Sequence, residues 1–416
     1  VVIVGGGFAG LQVAKRLAKA PVEVILVDRR NHHLFQPLLY QVATATLSPA
    51  DIAQPLRKIL RHQDNATVAL AEVRGVDLET RRVQFAQGDL RYDYLVVATG
   101  VTHSYFGNDD WARRAPGLKS LEDAVELRKR FLAAFERAEV EADGAARRRE
   151  LTFVVVGAGP TGVELAGAMS EIAHTTIPSD FRLIDTRTAR VILVEAGPRV
   201  LPAYPEGSSR SAEEQLLELG VEVRTDCAVT DIDDGGVAIG DERIEAANVF
   251  WAAGVQGSPL AEALGAPTDR AGRIEVEQDL SVPGHPDVFV VGDLASIVDP
   301  KTSELVPGVA PAALQMGDHV GGAIAREVQG AARPARQAFR YRDKGSMATI
   351  GRAAAVVHLG RLRFAGITAW VVWWLIHIMF LIGFRNRFLV MFAWAWSYLT
   401  YQRGARLITG EHDPLP

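Results

Sequence analysis

Two short stretches of this 416-residue chain carry glycine at the spacing that lets a backbone wrap around a phosphate. The first holds Gly5, Gly7 and Gly10, with Phe8 and Ala9 ahead of the last, in VVIVGGGFAGLQVAKRL. The second holds Gly157, Gly159 and Gly162, with Pro160 and Thr161 in the matching places, in FVVVGAGPTGVELAGAM. In such a fingerprint the first glycine permits a tight turn and the second lets a pyrophosphate approach the main chain. The third lets the following helix pack on the preceding strand. The helix N-terminus, with its unpaired amides and positive dipole end, then faces the phosphates. Each fingerprint is followed by a second apolar strand ending in an acid, Asp28 or Glu195, suited to accept hydrogen bonds from ribose hydroxyls. Asp28 lies 18 residues after Gly10, whereas Glu195 lies 33 after Gly162. The excess is the polar stretch 174–189, in which Pro178 breaks the helix. An acid at this point repels a 2′-phosphate, and no arginine follows Glu195 at once, so NADH is expected rather than NADPH.

Loops of this kind work only between a buried strand and a helix. Both fingerprints have that βαβ context, which predicts an α/β chain with two Rossmann-like dinucleotide-binding domains. Three further strand-like runs end in small residues: YLVVATG (94–100), VFWAAGV (249–255) and VFVVGDLAS (288–296). Their ends bring Thr99 and Gly100, Ala253 and Gly254, and Gly292 and Asp293 to the ligand edge of a parallel sheet. Asp293 is suited either to accept from a polyol hydroxyl or to cap a helix. The order of the motifs predicts one nucleotide domain inserted into another. Residues 1–115 and 265–340 enclose 116–264, and 341–416 form a separate C-terminal region.

Composition narrows the chemistry. Apolar residues make up 48% and charged residues 23%, as in a globular chain with ample core, and the length suits two to three domains at about 150 residues each. A mean hydropathy of +0.07 is far too low for a polytopic transporter. Cys227 is the one cysteine, which excludes internal disulfides, cysteine-ligated zinc or iron–sulfur clusters, and a dithiol redox pair. The ten histidines show no HExxH-type spacing, so no metal site is expected. The first residue already belongs to a strand, so no signal peptide is read.

The net charge of −5 is uneven. Residues 340–416 carry ten arginines and lysines against three acids, a net +7, which leaves −12 on the remainder. An acidic body argues against nucleic acid, and a basic apolar tail points to an anionic membrane surface.

Two dinucleotide folds with ATG and GD motifs resemble the flavoprotein pyridine-nucleotide reductases, in which the first fold holds FAD and the inserted one NAD(P)H. Members that relay electrons through sulfur need cysteines early in the FAD domain. Cys227 instead follows Glu195, where a core position is expected. More narrowly, NHHLFQPLLYQVATATLSP (31–49), GVAPAALQMG (308–317), DKGSMATIG (343–351) and FRNRFLVMFAWAWSYLTYQRGARLI (384–408) resemble type II NADH dehydrogenase, a single-subunit NADH:quinone oxidoreductase of respiratory membranes. The likeness runs to about residue 408. It implies FAD contacts from Gly5, Gly7, Phe8, Ala9, Gly10, Asp28, Thr46, Thr99, Gly100, Gly292 and Asp293. For NADH it implies Gly157, Gly159, Pro160, Thr161, Gly162, Glu164, Glu195, Ala253 and Gly254. Glu164 matches an acid near nicotinamide and quinone, suited to relay a proton; the plainer alternative is an acid complementing a helix dipole. For the quinone it implies Ala310, Pro311, Gln315 and Lys344. The family's AQxxxQ motif is altered here, because Pro311 stands in place of the first glutamine and has no side-chain donor. The resemblance also implies a homodimer.

The tail has two uncharged stretches, 364–384 and 388–402, separated by Arg385 and Arg387. Five of seven tryptophans lie in them: Trp370, Trp373, Trp374, Trp394 and Trp396. Tryptophan favours the headgroup boundary and arginine meets anionic lipid, so the tail is expected to lie in one leaflet as a peripheral anchor at the cytoplasmic face of the inner membrane. A transmembrane span and an aromatic dimer interface are the alternatives. The whole reads as a membrane-associated flavoenzyme passing electrons from NADH through FAD to a quinone, without proton pumping. A soluble NADH:ferredoxin- or rubredoxin-type reductase, or an NADH-sensing flavoprotein that signals by dimerising, remain as competing readings.

Overall fold

Val2–Val4 is buried at every position, as a strand flanked on both sides must be. The computed structural model describes residues 1–330, 336–360, 362–381, 387, 390–392, 394 and 405–408. They divide into two units. The first comprises Val1–Leu34, Ala53–Thr102 and Val255–Lys344. The second comprises Phe35–Ile52, His103–Gly254 and the described residues from Gly345 onward.

In the first unit Val2–Val4 pairs in parallel with Val24–Asp28 on one side and Leu95–Val97 on the other. Ala66–Leu70 extends the sheet beyond the former strand and His285–Val290 beyond the latter, with Ser281–Val282 as an antiparallel edge. The helix Phe8–Arg16 crosses the helix Ala310–Gln329 through a small-residue seam. A Cβ on Gly317 would lie 2.4 Å from the Ala9 carbonyl oxygen, and one on Gly321 2.7 Å from Arg16 Cβ. A polar cluster packs beside this sheet. Arg336 lies over the Phe289 ring at 4.7 Å and hydrogen-bonds Glu327 and Asp279, while the Tyr94 hydroxyl donates to Glu327.

The second unit is built around Thr152–Val156, again buried throughout, paired in parallel with Arg190–Val194 and Asn248–Trp251, with Val221–Arg224 outermost. The long helix Leu121–Val140 begins at a reciprocal Ser120–Asp123 capping box and sets Phe131 and Phe135 on Phe153. The helix Pro160–Glu171 ends in a wide turn over Ile172–Thr176, before Pro178. There His174 bridges Ser170 Oγ and the Ala189 carbonyl, which explains how the long spacer ahead of Glu195 is held. Ser346–Gly351, Ala354–Leu359 and Leu362–Ala365 form an antiparallel sheet leading into the helix Gly366–Phe380. A Cβ on Gly167 would fall 1.6 Å from the Ile350 carbonyl oxygen, so the Pro160–Glu171 helix rests directly on that strand's main chain.

The polar cluster of the first unit gives a stability test. The Glu327 side chain is 2% exposed, and removing its guanidinium partner leaves an uncompensated buried charge. Arg336→Leu is expected to destabilise the protein by about 3 kcal/mol, measured by urea denaturation, and the double variant Arg336→Leu/Glu327→Leu to recover most of that loss.

Candidate functional site

The first fingerprint has the cradle its glycines predict. Gly5 adopts φ +106°, and a Cβ there would lie 2.3 Å from the Ala98 carbonyl oxygen. A Cβ on Gly10 would lie 1.9 Å from the Gly5 oxygen. Gly7, at the helix N-cap, has open space where its Cβ would be. Asp28 accepts from the Gly6 amide at 2.6 Å and the Arg30 amide at 2.7 Å, so it ties the loop and keeps lone pairs for hydroxyl donors. Thr99 Oγ1 lies 2.6 Å from Ser258 Oγ, and Gly100, at φ +67°, borders open space. Gly292 abuts Ala9, with a Cβ position 3.3 Å from that side chain, and Asp293 sits beside Gly308. Gly5, Gly7, Phe8, Ala9, Gly10, Asp28, Thr99, Gly100, Gly292 and Asp293 therefore gather at one end of the six-stranded sheet. An open backbone loop, a helix N-terminus and a strand-end carboxylate are the donor and acceptor set a dinucleotide such as FAD requires.

The second fingerprint repeats this geometry in its own unit. Gly157 has φ +99°, with its Cβ position 2.7 Å from Ala253 Cα, and a Cβ on Gly162 would lie 1.8 Å from the Gly157 oxygen. Gly159 is an N-cap with open space, and Pro160 follows in the first turn of the helix, where its missing N–H costs nothing. Thr161 is half-buried in the same turn. Glu195 accepts from the Ala158 amide at 2.7 Å and the Gly197 amide at 2.9 Å, as Asp28 does in the first unit. Gly254, at φ +69°, lies under Phe106. Cys227 is partly buried against the core that includes Trp251 and Val194.

Glu164 stands apart from these. It lines a pocket enclosing about 580 Å³, part of it open to solvent, together with Tyr40, Gln41, Thr46, Ala168, Glu171, Thr349, Arg352, Trp370, Trp373 and Trp394. The residue borders the opening, but its carboxyl lies deep in the protein, and this desolvation raises its pKa well above the ordinary carboxyl range. The Thr349 backbone N–H donates to it and pulls weakly in the other direction. The Tyr204 phenol is pushed upward by burial first and by the Glu164 charge second. An acid whose pKa is raised beside aromatic walls is suited to deliver a proton to an oxygen acceptor. Thr46, grouped with the FAD contacts on sequence grounds, lines this pocket. Tyr40 and Gln41 lie in the 31–49 block but had no role assigned to them, and Arg352 carries no motif.

Gln315 is less free than its motif suggests. Its Nε2 donates to the Arg342 carbonyl at 3.0 Å and its Oε1 accepts from the Arg342 amide at 2.9 Å, so the side chain anchors the segment leading to exposed Lys344. Ala310 and Pro311 form the first turn of that helix and are half-buried.

The tail requires a correction. Of the tryptophans expected at a headgroup boundary, Trp373 and Trp394 are 2% and 6% exposed and stack inward, with Trp373 4.2 Å from the His377 ring and 5.5 Å from Trp394. The reason is shape: flat rings fill the space over the pocket, and the aliphatic residues Ile367, Val371, Leu375 and Met379 take the outer face at helical spacing. Trp370 and Trp374 are half-buried. Burial lowers the His377 pKa to about 4, so this ring adds no charge at neutral pH. Arg387 is exposed and donates to the Leu381 carbonyl. Arg385 and Trp396 lie outside the described residues. Among the described residues no helix is long and apolar enough to cross a membrane.

Comparison with known proteins matches two regions of the chain. The pyridine nucleotide-disulphide oxidoreductase family matches residues 1–317, and the NDH2 C-terminal domain matches residues 344–402. The type II NADH:quinone oxidoreductase NdhA of Mycobacterium tuberculosis is 47% identical, over 99% of this chain and 89% of the relative. The enzyme Ndh of the same organism is 46% identical, over 99% and 90%. Among solved structures, NDH2 from Plasmodium falciparum in complex with NADH has a TM-score of 0.88 at 20% identity. That match covers 97% of this chain and 98% of the other, a likeness of fold.

The raised pKa of Glu164 makes stability depend on pH. Between the ordinary carboxyl pKa and its own raised value, the folded chain holds a proton that the unfolded chain has released. This residue's contribution therefore falls as pH rises through that window. Glu164→Gln cannot ionise. Its melting temperature relative to the parent is expected to rise as pH increases above the ordinary carboxyl range in paired thermal scans; a flat difference would show an unperturbed carboxyl.

Proposed function

Because the chain belongs to the pyridine nucleotide-disulphide oxidoreductase family and carries its NDH2 C-terminal domain, we infer that it is a type II NADH:quinone oxidoreductase, a flavoenzyme that oxidises NADH and reduces a quinone. The observation that carries the acceptor half is Glu164, a desolvated acid in an aromatic pocket with no thiol among the residues lining it.

FAD, when bound, accepts hydride from NADH and returns two electrons to the quinone. The rest is the work of this chain's own residues. Gly5, Gly7, Gly10, Asp28, Thr99, Gly100, Gly292 and Asp293 are assigned to FAD, with the Phe8–Arg16 helix N-terminus toward its pyrophosphate. Gly157, Gly159, Gly162, Glu195, Ala253 and Gly254 are assigned to NADH. Reduction of quinone to quinol takes two electrons and two protons. The hydride accounts for both electrons and one proton, and the other proton comes from the medium. Glu164, its pKa raised by burial, donates a proton to a quinone oxygen and is reloaded from water at the open side. Gln315 contributes by holding the segment before Lys344, and through its remaining N–H and lone pair. Thr46 is assigned to the pocket wall. The reading involves no proton pumping.

Membrane association fits two solvents for two substrates, NADH from water and quinone from lipid. The surface we assign to lipid is the aliphatic row Ile367, Val371, Leu375 and Met379, with Phe380 and Phe392 also exposed. Arg387 and the other tail cations would favour anionic headgroups. A homodimer at the cytoplasmic face of the inner membrane rests on the family resemblance.

Stopped-flow mixing tests both halves. NADH is expected to bleach the bound flavin, and a ubiquinone or menaquinone analogue to restore its colour. Glu164→Gln should slow the restoration roughly 100-fold, the usual scale of a lost general acid. Flavin that reduces but is reoxidised by no quinone would overturn the acceptor assignment. Val371→Glu/Leu375→Glu is expected to release the protein from anionic vesicles in flotation assays while leaving flavin reduction by NADH unchanged.

A further inference from the structure

One buried network has no part in the chemistry so far. Trp394 Nε1 donates to Gln41 Oε1 at 2.6 Å, Gln41 Nε2 donates to the Tyr40 hydroxyl at 2.9 Å, and that hydroxyl lies 2.8 Å from Thr349 Oγ1. All four residues line the pocket that holds Glu164, and all are buried. They come from three distant segments: the helix Leu39–Ala43, the strand Ser346–Gly351 and the tail.

The direction of this chain is set at one end. An indole N–H can only donate, so the Gln41 amide oxygen must face Trp394 and its nitrogen must face Tyr40. The phenol accepts that bond, and either hydroxyl can donate the one between Tyr40 and Thr349. With the phenol as donor, Thr349 keeps a hydroxyl hydrogen for a ligand oxygen, while its backbone N–H donates to Glu164. A residue with one donor on the acid and another unspent, in a pocket walled by Trp370 and Trp373, suits a flat aromatic ligand bearing an acceptor oxygen.

We propose that Trp394, Gln41 and Tyr40 are positioning residues for the quinone-reducing step, orienting the Thr349 hydroxyl as the hydrogen-bond donor to a quinone carbonyl beside Glu164. The proposal rests on the reading of this pocket as the acceptor site. The chain itself transfers neither electrons nor protons: both electrons come from the reduced flavin, and the protons from the hydride and from Glu164. It also links the tail to the reacting oxygen, because the first donor in the series, Trp394, belongs to the C-terminal segment. Replacing any member leaves a buried donor or acceptor without its partner and frees Thr349 to turn.

The test uses the FAD-loaded full chain in detergent, with NADH and a short-chain ubiquinone analogue in stopped flow. Thr349→Val and Tyr40→Phe are expected to slow flavin reoxidation about tenfold and to leave flavin reduction by NADH unchanged. Thr349→Ser, which keeps the hydroxyl, should reoxidise at close to the parent rate. Trp394→Phe, which keeps a ring and loses the N–H, should slow it in the same direction. Parent-like reoxidation in Thr349→Val and Tyr40→Phe would overturn the proposal. So would equal slowing of both half-reactions together with a lowered melting temperature, the signature of a purely structural role. If Glu164→Gln also reoxidises normally, the acceptor-site reading itself fails. If only Glu164→Gln is slow, that reading stands and the positioning chain does not.

Discussion

The functional geometry of this protein depends on main chain touching main chain. At Gly5 against Ala98, Gly157 against Ala253, Gly167 against Ile350 and Gly317 against Ala9, there is no room for a β-carbon. Side chains between elements usually hold backbones well apart, and removing them brings amide and carbonyl groups within reach of ligands and of one another. Two of these contacts shape the nucleotide loops. The contact at Gly167 has a different result: it sets the Pro160–Glu171 helix on the Ser346–Gly351 strand, and so brings the Thr349 amide to Glu164.

The two strand-end acids tie their loops in a way compatible with nucleotide binding. Asp28 and Glu195 each accept from two loop amides, at the same relative position in their fingerprints. The loop is held in shape before any nucleotide arrives, so binding has less ordering to accomplish. A carboxylate has about four lone-pair positions, and two amides leave capacity for ribose hydroxyls. The strand-end tie is seen directly, and it leaves the lone pairs that the proposed nucleotide role of these acids needs.

Glu164 and the tail illustrate what burial does to chemistry. A glutamate in a helix's early turns ordinarily complements the dipole as an anion. Here burial removes water from the carboxyl, in a pocket that Trp373 and Trp394 also line, and desolvation outweighs the single amide that would favour its charge. The same packing sets Trp373 and Trp394 inward over the pocket and Ile367, Val371, Leu375 and Met379 outward. A stretch that is apolar on every side gives no moment from which to read that orientation. The expectation of tryptophan at a lipid boundary therefore failed at Trp373 and Trp394.

What could be read from the linear chain were the features that rest on local backbone geometry or on composition. Both glycine fingerprints, the acids closing their second strands, the small residues ending the later strands, and the lone cysteine that excludes a sulfur relay are of this kind. Their meaning is carried by neighbours within a few dozen residues, and φ > 0 or a missing Cβ imposes a residue type directly. Tertiary structure alone decided that residues 35–52 and those from Gly345 onward would group with the second fingerprint. It also decided that Gln315 would bond the Arg342 backbone, and that Tyr40 and Gln41 would meet Thr349 and Trp394 some 300 residues away. No local rule reaches that far, because the partners of a buried polar group are whichever groups the packing of distant elements leaves within hydrogen-bonding distance.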